Sequence, residues 1–181
     1  MCPFGKECMK VYSIGQFISY GNSGVCEVVG TSELESSKPG HEKKQCYILR
    51  PLHDRTCTIT TPVDNDKVIM RSLISPEETR QLLADIPEIE TLPDQSARQQ
   101  ELSYQRALHS GDCKQWICLV KTLDHRIRSR KAKGKKVTAT DDRYFKAVTQ
   151  KLTEEFSVVL GMNVEQTIEL LKGAFTESQE G

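Results

Sequence analysis

The sequence predicts an α+β fold in two parts, a small curled sheet or barrel followed by a compact all-α bundle of about five helices. Residues 11–73 contain five short runs that alternate or are rich in β-branched and aromatic residues, with turn residues between them. Beyond residue 75 the apolar residues recur every three or four positions, and helix-capping residues precede the runs. We therefore expect a β domain at residues 11–73 and a helical domain at residues 74–175, with loose tails at residues 1–10 and 176–181.

The composition is that of a globular protein in a reducing compartment. Of the 181 residues, 37% are hydrophobic and 28% are charged, and no apolar run is long enough to span a bilayer. No secretory signal pattern occurs, so we expect a cytoplasmic protein without a membrane partner. The cysteines are odd in number and form no CxxC pair, which favours reduced thiols over disulfides or a zinc site. They are Cys2, Cys8, Cys26, Cys46, Cys57, Cys113 and Cys118.

The strands of the β part are expected in the following order. QFISY alternates, the turn sequence GNSG follows, and residues 25–30 predict a second strand. Residues 32–44 are polar and contain Pro39-Gly40, which predicts a loop. Residues 45–50 and 56–61 should form a hairpin, and residues 67–73 a last strand. Five short strands in so few residues are typical of an SH3-like or Tudor-like sheet.

One of these strands is a candidate sheet edge. The segment Thr58-Ile59-Thr60-Thr61 lies between a loop and Pro62, which cannot donate a ladder hydrogen bond. An exposed edge strand can accept a partner's strand by main-chain pairing. The alternative is that threonine-rich strands simply form stable sheet.

Polar caps predict the starts of five helices. The sequence Ser75-Pro76-Glu77-Glu78 is a capping box with proline at the first helical position. Gly161 is expected to end the fourth helix, and Asn163 to cap the fifth. The caps predicted for the second, third and fourth helices are Asp94, Asp112, and Thr138 or Thr140.

The third helix combines an apolar face with a cationic face. Trp116, Val120, Leu123 and Ile127 recur at helical spacing and should face the core. Basic residues occupy the opposite side, and the following turn, residues 130–136, adds five more around Gly134. Residues 111–150 carry a net charge of +7, whereas residues 74–110 and 151–181 each carry −4. Either the acidic segments neutralise this charge, or it forms an exposed patch for nucleic acid.

The sequence contains no recognisable catalytic motif. GxSxG, P-loop, HExxH and GxGxxG elements do not occur, and the four histidines are scattered in polar surroundings. We therefore predict a non-enzymatic protein with no catalytic residue, metal, cofactor or small-molecule ligand. A protein–protein adaptor with a basic docking face and a cysteine-based redox switch remain as alternatives.

A set of motifs, taken in order, resembles one family. The motifs are IGQFISYGNSGVCEV, YILRP, ITTPVDN, VIMRSLIS, SGDCKQWICLVKTL and TATDDRYFKAVTQKLTEEF. From about Tyr12 to Leu171 the chain resembles the CarD/CdnL family of bacterial RNA-polymerase-binding transcription regulators, whose N-terminal domain is shared with transcription-repair coupling factors. The resemblance implies a Tudor-like domain that pairs an edge strand with the RNA polymerase β subunit. It also implies a helical domain that contacts promoter DNA and alters the lifetime of the open promoter complex.

The resemblance assigns roles to particular residues. The polymerase-binding strand is expected to comprise Thr58, Ile59, Thr60, Thr61 and Pro62, with Thr60 where many relatives have a basic residue. Relatives also carry a tryptophan before the SGD turn that wedges into the minor groove; here Leu92 is the possible wedge. The DNA-binding candidates are Arg98, Lys121, His125, Arg126, Arg128 and Arg143.

Overall fold

The structure is a computed structural model that describes residues 11–34 and 44–177. The predicted tail at residues 1–10, most of the predicted loop at residues 32–44 and most of the predicted C-terminal tail lie outside the described residues. The chain divides into two compact units, Met1–Ser72 and Leu73–Gly181. A five-stranded antiparallel sheet in the first unit is followed by five α-helices in the second, which confirms the predicted α+β class.

The first unit is built around one antiparallel sheet with the strand order β4-β3-β2-β1-β5. Within the described part of the chain, β4 and β5 are therefore its two edges. The strands are β1 (Phe17–Tyr20), β2 (Gly24–Leu34), β3 (Lys44–Pro51), β4 (Ile59–Pro62) and β5 (Met70–Ser72).

Three strands differ from their predicted extents by three residues or more, and one of them, β5, spans only Met70–Ser72 of the predicted residues 67–73. β2 continues to Leu34, because the register shifts between Val28 and Gly30 and the strand then pairs on with β3. The prediction that a loop begins at residue 32 was therefore wrong. β4 starts only at Ile59, because the Asp54 carboxylate accepts hydrogen bonds from both the N–H and the hydroxyl of Thr56 and holds that segment in a turn.

The inward side chains of the strands form a small core. Tyr12 and Tyr47 meet edge to face with ring centroids 5.7 Å apart, and the Tyr12 N–H donates to the Tyr47 hydroxyl at 3.0 Å. Gly21 has a φ of 43° in the turn between β1 and β2, and a Cβ there would collide with Val68. The buried members of this core are Tyr12, Ile18, Cys26, Val28, Tyr47 and Leu49.

The second unit is a helical bundle whose starts largely follow the predicted caps. Ser75 and Glu78 form the predicted capping box, and Asp112 and Thr138 cap the third and fourth helices. Gly161 ends the fourth helix in the left-handed conformation, with φ 64°. The helices are α1 (Pro76–Asp85), α2 (Ala97–His109), α3 (Cys113–Ala132), α4 (Ala139–Leu160) and α5 (Val164–Glu177), and a short 3-10 helix, Ile86–Glu88, follows α1.

The cap predicted for α2 was wrong. The N-cap position is Ser96, whose side chain makes no capping hydrogen bond. The carboxylate of Asp94 instead accepts a hydrogen bond from Arg126 at 3.1 Å. A partner 32 positions away in the chain therefore takes the side chain that local spacing assigned to the helix end.

The apolar face of α3 forms the centre of the bundle. Trp116, Val120 and Leu123 are buried as predicted, and Ile127 is half-buried. The indole N–H of Trp116 donates to the carbonyl oxygen of Leu108 at 3.1 Å, so its only polar atom is satisfied inside the fold. Among residues 11–34 and 44–177, no helix has the length and apolar character needed to cross a membrane.

Candidate functional site

The open edge of β4 carries an outward-directed donor and acceptor at Thr60. Thr60 lies opposite Ile48 of β3, and the N–H of Val63 donates to the carbonyl oxygen of Gln45 at 3.0 Å. In an antiparallel pair, facing residues alternate between hydrogen-bonded and non-hydrogen-bonded pairs. Residues 59, 61 and 63 therefore direct their main-chain groups to β3, and Thr60 directs its N–H and C=O groups away from the sheet.

The side chains of β4 alternate as its main chain does. Thr61 is 1% exposed, and its hydroxyl oxygen accepts hydrogen bonds from the Tyr20 hydroxyl at 3.1 Å and the Asn65 amide at 2.8 Å. Ile59 packs against the core of the first unit, whereas the Thr60 side chain is exposed. Thr58 is exposed just before the strand, and Pro62 ends it. The structure thus divides the candidate strand into two residues that hold the sheet and one, Thr60, that faces outward.

At the opposite edge of the sheet, β5, the outward carbonyl oxygens have hydrogen-bond partners. By the same alternation in the β1–β5 pair, Met70 and Ser72 direct their main-chain groups outward. The carbonyl oxygen of Met70 accepts from the Tyr12 hydroxyl at 3.3 Å, and that of Ser72 from the Arg71 guanidinium at 2.9 Å. At β5 the two outward carbonyl oxygens are thus occupied, whereas the described residues provide no partner for the outward N–H and C=O groups of Thr60 in β4.

Lys121, a DNA-binding candidate, has its ammonium group inside the second unit. The nitrogen lies 2.7 Å from the carbonyl oxygens of Ile86 and Ile89 and 3.1 Å from that of Pro87. Burial lowers the pKa of this lysine below its usual value. An ammonium group has three N–H donors, so all three are used by these carbonyl groups.

Arg126 also makes internal contacts. Its guanidinium donates to the carboxylate of Asp94 at 3.1 Å and to the amide oxygen of Gln100 at 3.4 Å. Its Nε lies 3.7 Å from the carboxylate of Asp141, which is 3% exposed. Arg126 therefore joins α2, α3 and the start of α4, and only 31% of its side chain is exposed.

The other four DNA-binding candidates are exposed. Arg143 pairs with Glu101 at 2.8 Å and lies over the Tyr144 ring, and Arg128 pairs with Asp124 at 2.8 Å. Surface pairs of this kind are weak and can exchange partners. Arg98 and His125 are exposed on α2 and α3.

Leu92 is not an exposed wedge. Its side chain is half-buried against the bundle core, and its N–H donates to the hydroxyl of Thr122 at 2.8 Å. The segment that precedes α2 is thus held onto α3. Leu92 therefore has a packing role.

The last turn of α3 and the turn between α3 and α4 present four exposed lysines, Lys131, Lys133, Lys135 and Lys136. The turn is ordered by Gly134, with φ 66°, and by the Arg130 Nε–H, which donates to the carbonyl oxygen of Lys136 at 2.9 Å. No ion pair holds these four ammonium groups within the part of the chain that is described. The sequence identified this turn as basic, but the set of six candidates did not include it.

The described cysteines are mostly buried. Cys26, Cys46 and Cys113 are buried, Cys118 is half-buried, and Cys57 is exposed; Cys2 and Cys8 lie outside the described residues. Burial raises the pKa of the Cys118 thiol, against smaller opposing effects of Thr122 and Lys121. In the two described ranges, no three His, Cys, Asp or Glu side chains gather in an arrangement that could hold a metal ion.

Residues 12–74 match the family model described as the CarD-like/TRCF RID domain. The matched range contains all five strands, including the β4 edge. No curated protein matches the chain.

Proposed function

Since residues 12–74 carry a CarD-like/TRCF RID domain, and domains of this kind interact with the β subunit of RNA polymerase, we propose that this protein is a transcription regulator that binds that subunit through β4. The observation that carries this proposal is the outward N–H and C=O of Thr60 on an open edge. A strand added there would pair with Thr60 through both groups. Such binding requires no catalytic residue.

A proline at position 60 tests the edge directly. Because the Thr60 N–H is directed away from β3, Thr60→Pro removes a donor from the open edge and none from the ladder within the sheet. We expect binding to purified β subunit, measured by biolayer interferometry, to weaken by about tenfold or more, as the loss of a main-chain hydrogen bond and a steric clash predict.

Thr60→Val is the matched control, because it keeps the N–H and the β-branched shape and removes only the hydroxyl. It should bind the β subunit within about twofold of the unmodified protein, as expected of an exposed substitution. Both variants should retain the circular dichroism spectrum of the parent. If folded Thr60→Pro binds as the parent does, β4 is not the polymerase-binding edge.

We further propose that the second unit contacts promoter DNA through phosphates. Support comes from the exposed lysines of the α3–α4 turn together with Arg98 and Arg143, which lie on α2 and near the start of α4. The Glu101–Arg143 pair brings α2 and α4 together. Lysines directed at the backbone carry little base information, so binding to free duplex should be weak and nearly independent of sequence. Lys121 is left out of this face because its three donors are used internally. Arg126 is left out because its half-buried guanidinium is bound to Asp94 and Gln100.

Salt dependence tests the DNA contact. With three to five phosphate contacts, the slope of log K against log salt concentration should be about −3 to −4.5. The double variant Lys133→Glu/Lys135→Glu should reduce the slope's magnitude by about 2. Lys114→Glu is the control, because Lys114 is exposed at the opposite end of the 20-residue helix α3, about 30 Å away. A slope near zero for the parent would remove DNA from the proposal.

Transcription itself tests the combined function. With purified polymerase, the protein should change the lifetime of open promoter complexes, followed after addition of a competitor. Thr60→Pro and Lys133→Glu/Lys135→Glu should each lose most of this effect, while Thr60→Val and Lys114→Glu keep it. Polymerase binding is also measured after nuclease treatment, which removes DNA. If Lys133→Glu/Lys135→Glu weakens this DNA-independent binding, the basic face binds a protein partner instead of DNA.

A further inference from the structure

The second unit contains a cavity of about 400 Å³ between α3, α4 and α5. Val120 of α3, Phe145 and Leu152 of α4, and Ile168 and Phe175 of α5 form its apolar wall. Small-molecule sites typically have volumes of about 300–1,000 Å³, are mainly apolar, and occur between the helices of bundles. The volume and the lining both match that class of site.

The apolar wall is buried on one side and partly exposed on the other. Leu152 and Leu171 are buried in the bundle core and form the floor of the cavity. Phe145, Ile168 and Phe175 are only half-buried, so each leaves apolar surface facing the cavity. Covering that surface with an apolar ligand would be favourable, since burial of apolar area is the main driving force of such binding.

The charged side chains of the lining are unequal in sign. The lining contains two basic side chains, Arg128 and Lys172, and one acidic side chain, Asp124. The Arg128–Asp124 ion pair is made by Nε at 2.8 Å, which leaves the other side of the guanidinium fork unused by that pair. Lys172 is exposed on α5 and makes no ion pair within the described ranges. The lining therefore offers an anion one guanidinium edge and one ammonium group, from two different helices.

We propose that this cavity binds a small amphiphilic anion, a carboxylate on an apolar chain or ring system. The apolar body lies against Phe145, Ile168 and Phe175, and the carboxylate lies between Arg128 and Lys172. Planar bidentate recognition of a carboxylate is the geometry that an arginine fork favours. Lys172 and the apolar wall belong to neither the polymerase contact nor the DNA contact proposed above, and Arg128 is the one residue of this site that is also a DNA-binding candidate.

Three probes of equal chain length separate the contributions of body and head. Dodecanoate, dodecanol and dodecylammonium are titrated into the full chain by isothermal calorimetry, the two ions below their micelle concentrations and dodecanol below its solubility limit. We expect saturable 1:1 binding of dodecanoate, about fivefold or more tighter than dodecanol, and weaker binding still of dodecylammonium. No saturable binding of dodecanoate, or equal binding of all three, would overturn the proposal.

Variants then place the site. Thr149 is half-buried in the lining, so Thr149→Phe fills the cavity and should abolish dodecanoate binding. If that variant does not fold, Phe175→Ala replaces it in the test. Phe175→Ala removes part of the apolar wall and should weaken dodecanoate binding severalfold. Lys172→Glu should weaken dodecanoate binding by about fivefold and leave dodecanol unchanged, and Lys114→Glu, outside the lining, should change neither. Equal effects of Lys172→Glu and Lys114→Glu would overturn the assignment. If the parent is a dimer and Phe175→Ala is a monomer, the cavity is the binding site of a second copy of the chain. That result would also overturn the proposal of a small-molecule site.

Discussion

The ammonium group of Lys121 donates a 2.7 Å hydrogen bond to the carbonyl oxygen of Ile86, where α1 passes into the short 3-10 helix. Helix ends leave carbonyl groups without intrahelical partners and carry partial negative charge. Lys121 therefore caps this end from a different helix, α3. Lys121 lies on the side of α3 opposite the apolar stripe, as predicted from the sequence. The segment that carries Ile86 and Ile89 packs over it there.

Replacement of Lys121 should affect stability. Lys121→Met keeps most of the aliphatic stem and leaves the carbonyl groups of Ile86 and Ile89 without their charged donor. We expect the free energy of unfolding to fall by about 2–3 kcal/mol. Urea denaturation followed by the fluorescence of Trp116, the only tryptophan, measures this directly in the second unit. Lys114→Met, on the exposed start of α3, should change it by less than about 0.5 kcal/mol, and equal values for the two variants would contradict the capping role.

The buried hydroxyl of Thr61 should matter more than the exposed hydroxyl of Thr60. Thr61→Val keeps the shape of the side chain but removes the acceptor for Tyr20 and Asn65. We expect a loss of about 1–2 kcal/mol in the free energy of unfolding, seen as a lower calorimetric Tm. Thr60→Val should leave the Tm nearly unchanged. A fall in Tm for Thr60→Val as large as that for Thr61→Val would mean that the two positions are not in the alternation described above.

Tyr104 should make stability fall at high pH. Burial raises the pKa of Tyr104 to about 12, with a further upward contribution from the Asp141 carboxylate that the Arg126 charge opposes. The unfolded chain, with the ordinary tyrosine pKa of about 10, loses this proton first, so the contribution is complete below pH 10 and is lost as the pH rises from 10 to 12. Denaturation of the parent and of Tyr104→Phe across this range should show the difference between them shrinking by about 2 kcal/mol. A constant difference would contradict the raised pKa.

The cysteines should differ in thiol reactivity. Cys57 is exposed, whereas Cys118 is half-buried with a raised pKa, and a raised pKa leaves less of the reactive thiolate at any given pH below it. Iodoacetamide labelling of the native protein at pH 7.5, mapped by mass spectrometry, should therefore modify Cys57 about tenfold faster than Cys118. In denaturant the two rates should converge. Faster native labelling of Cys118 would contradict its burial and would favour a thiol switch at that position.

Local signals in the sequence predicted the elements well. The Ser75–Glu78 capping box and the Gly161 helix end depend on residues within a few positions of one another, and both are confirmed. The Trp116, Val120 and Leu123 stripe is likewise a property of one helix, and all three residues are buried. Local signals could not predict that β2 extends to Leu34. The polar residues at its end favour a loop by themselves, and the long pairing with β3 stabilises them as a strand.

Helical periodicity could not predict which groups surround the basic side chains of α3. A period of 3.6 places Lys121 opposite the Trp116 stripe and Arg126 beside it, but it does not show which groups face either side chain. Their partners, Ile86 and Asp94, lie 35 and 32 positions away and are brought close only by the packing of other elements. The lysines at the end of α3 and in the turn to α4 behave differently, because a turn that joins two helices contacts few other elements and stays exposed. Periodicity therefore predicted which apolar side chains are buried better than it predicted which basic side chains are available to bind DNA.

The shortness of the open edge has a consequence for how long the protein stays on its partner. Beyond Thr60, Pro62 has no N–H, and its carbonyl oxygen accepts from the N–H of Asn65 at 3.1 Å, so an added strand gains only a few main-chain bonds. A contact of this size should dissociate quickly by itself. If a second weak contact to DNA is held on the same chain, each contact raises the effective concentration of the other to the millimolar range. Residence on a promoter complex would then be long although neither contact alone persists, and cutting the link between the two units would shorten it without changing either surface.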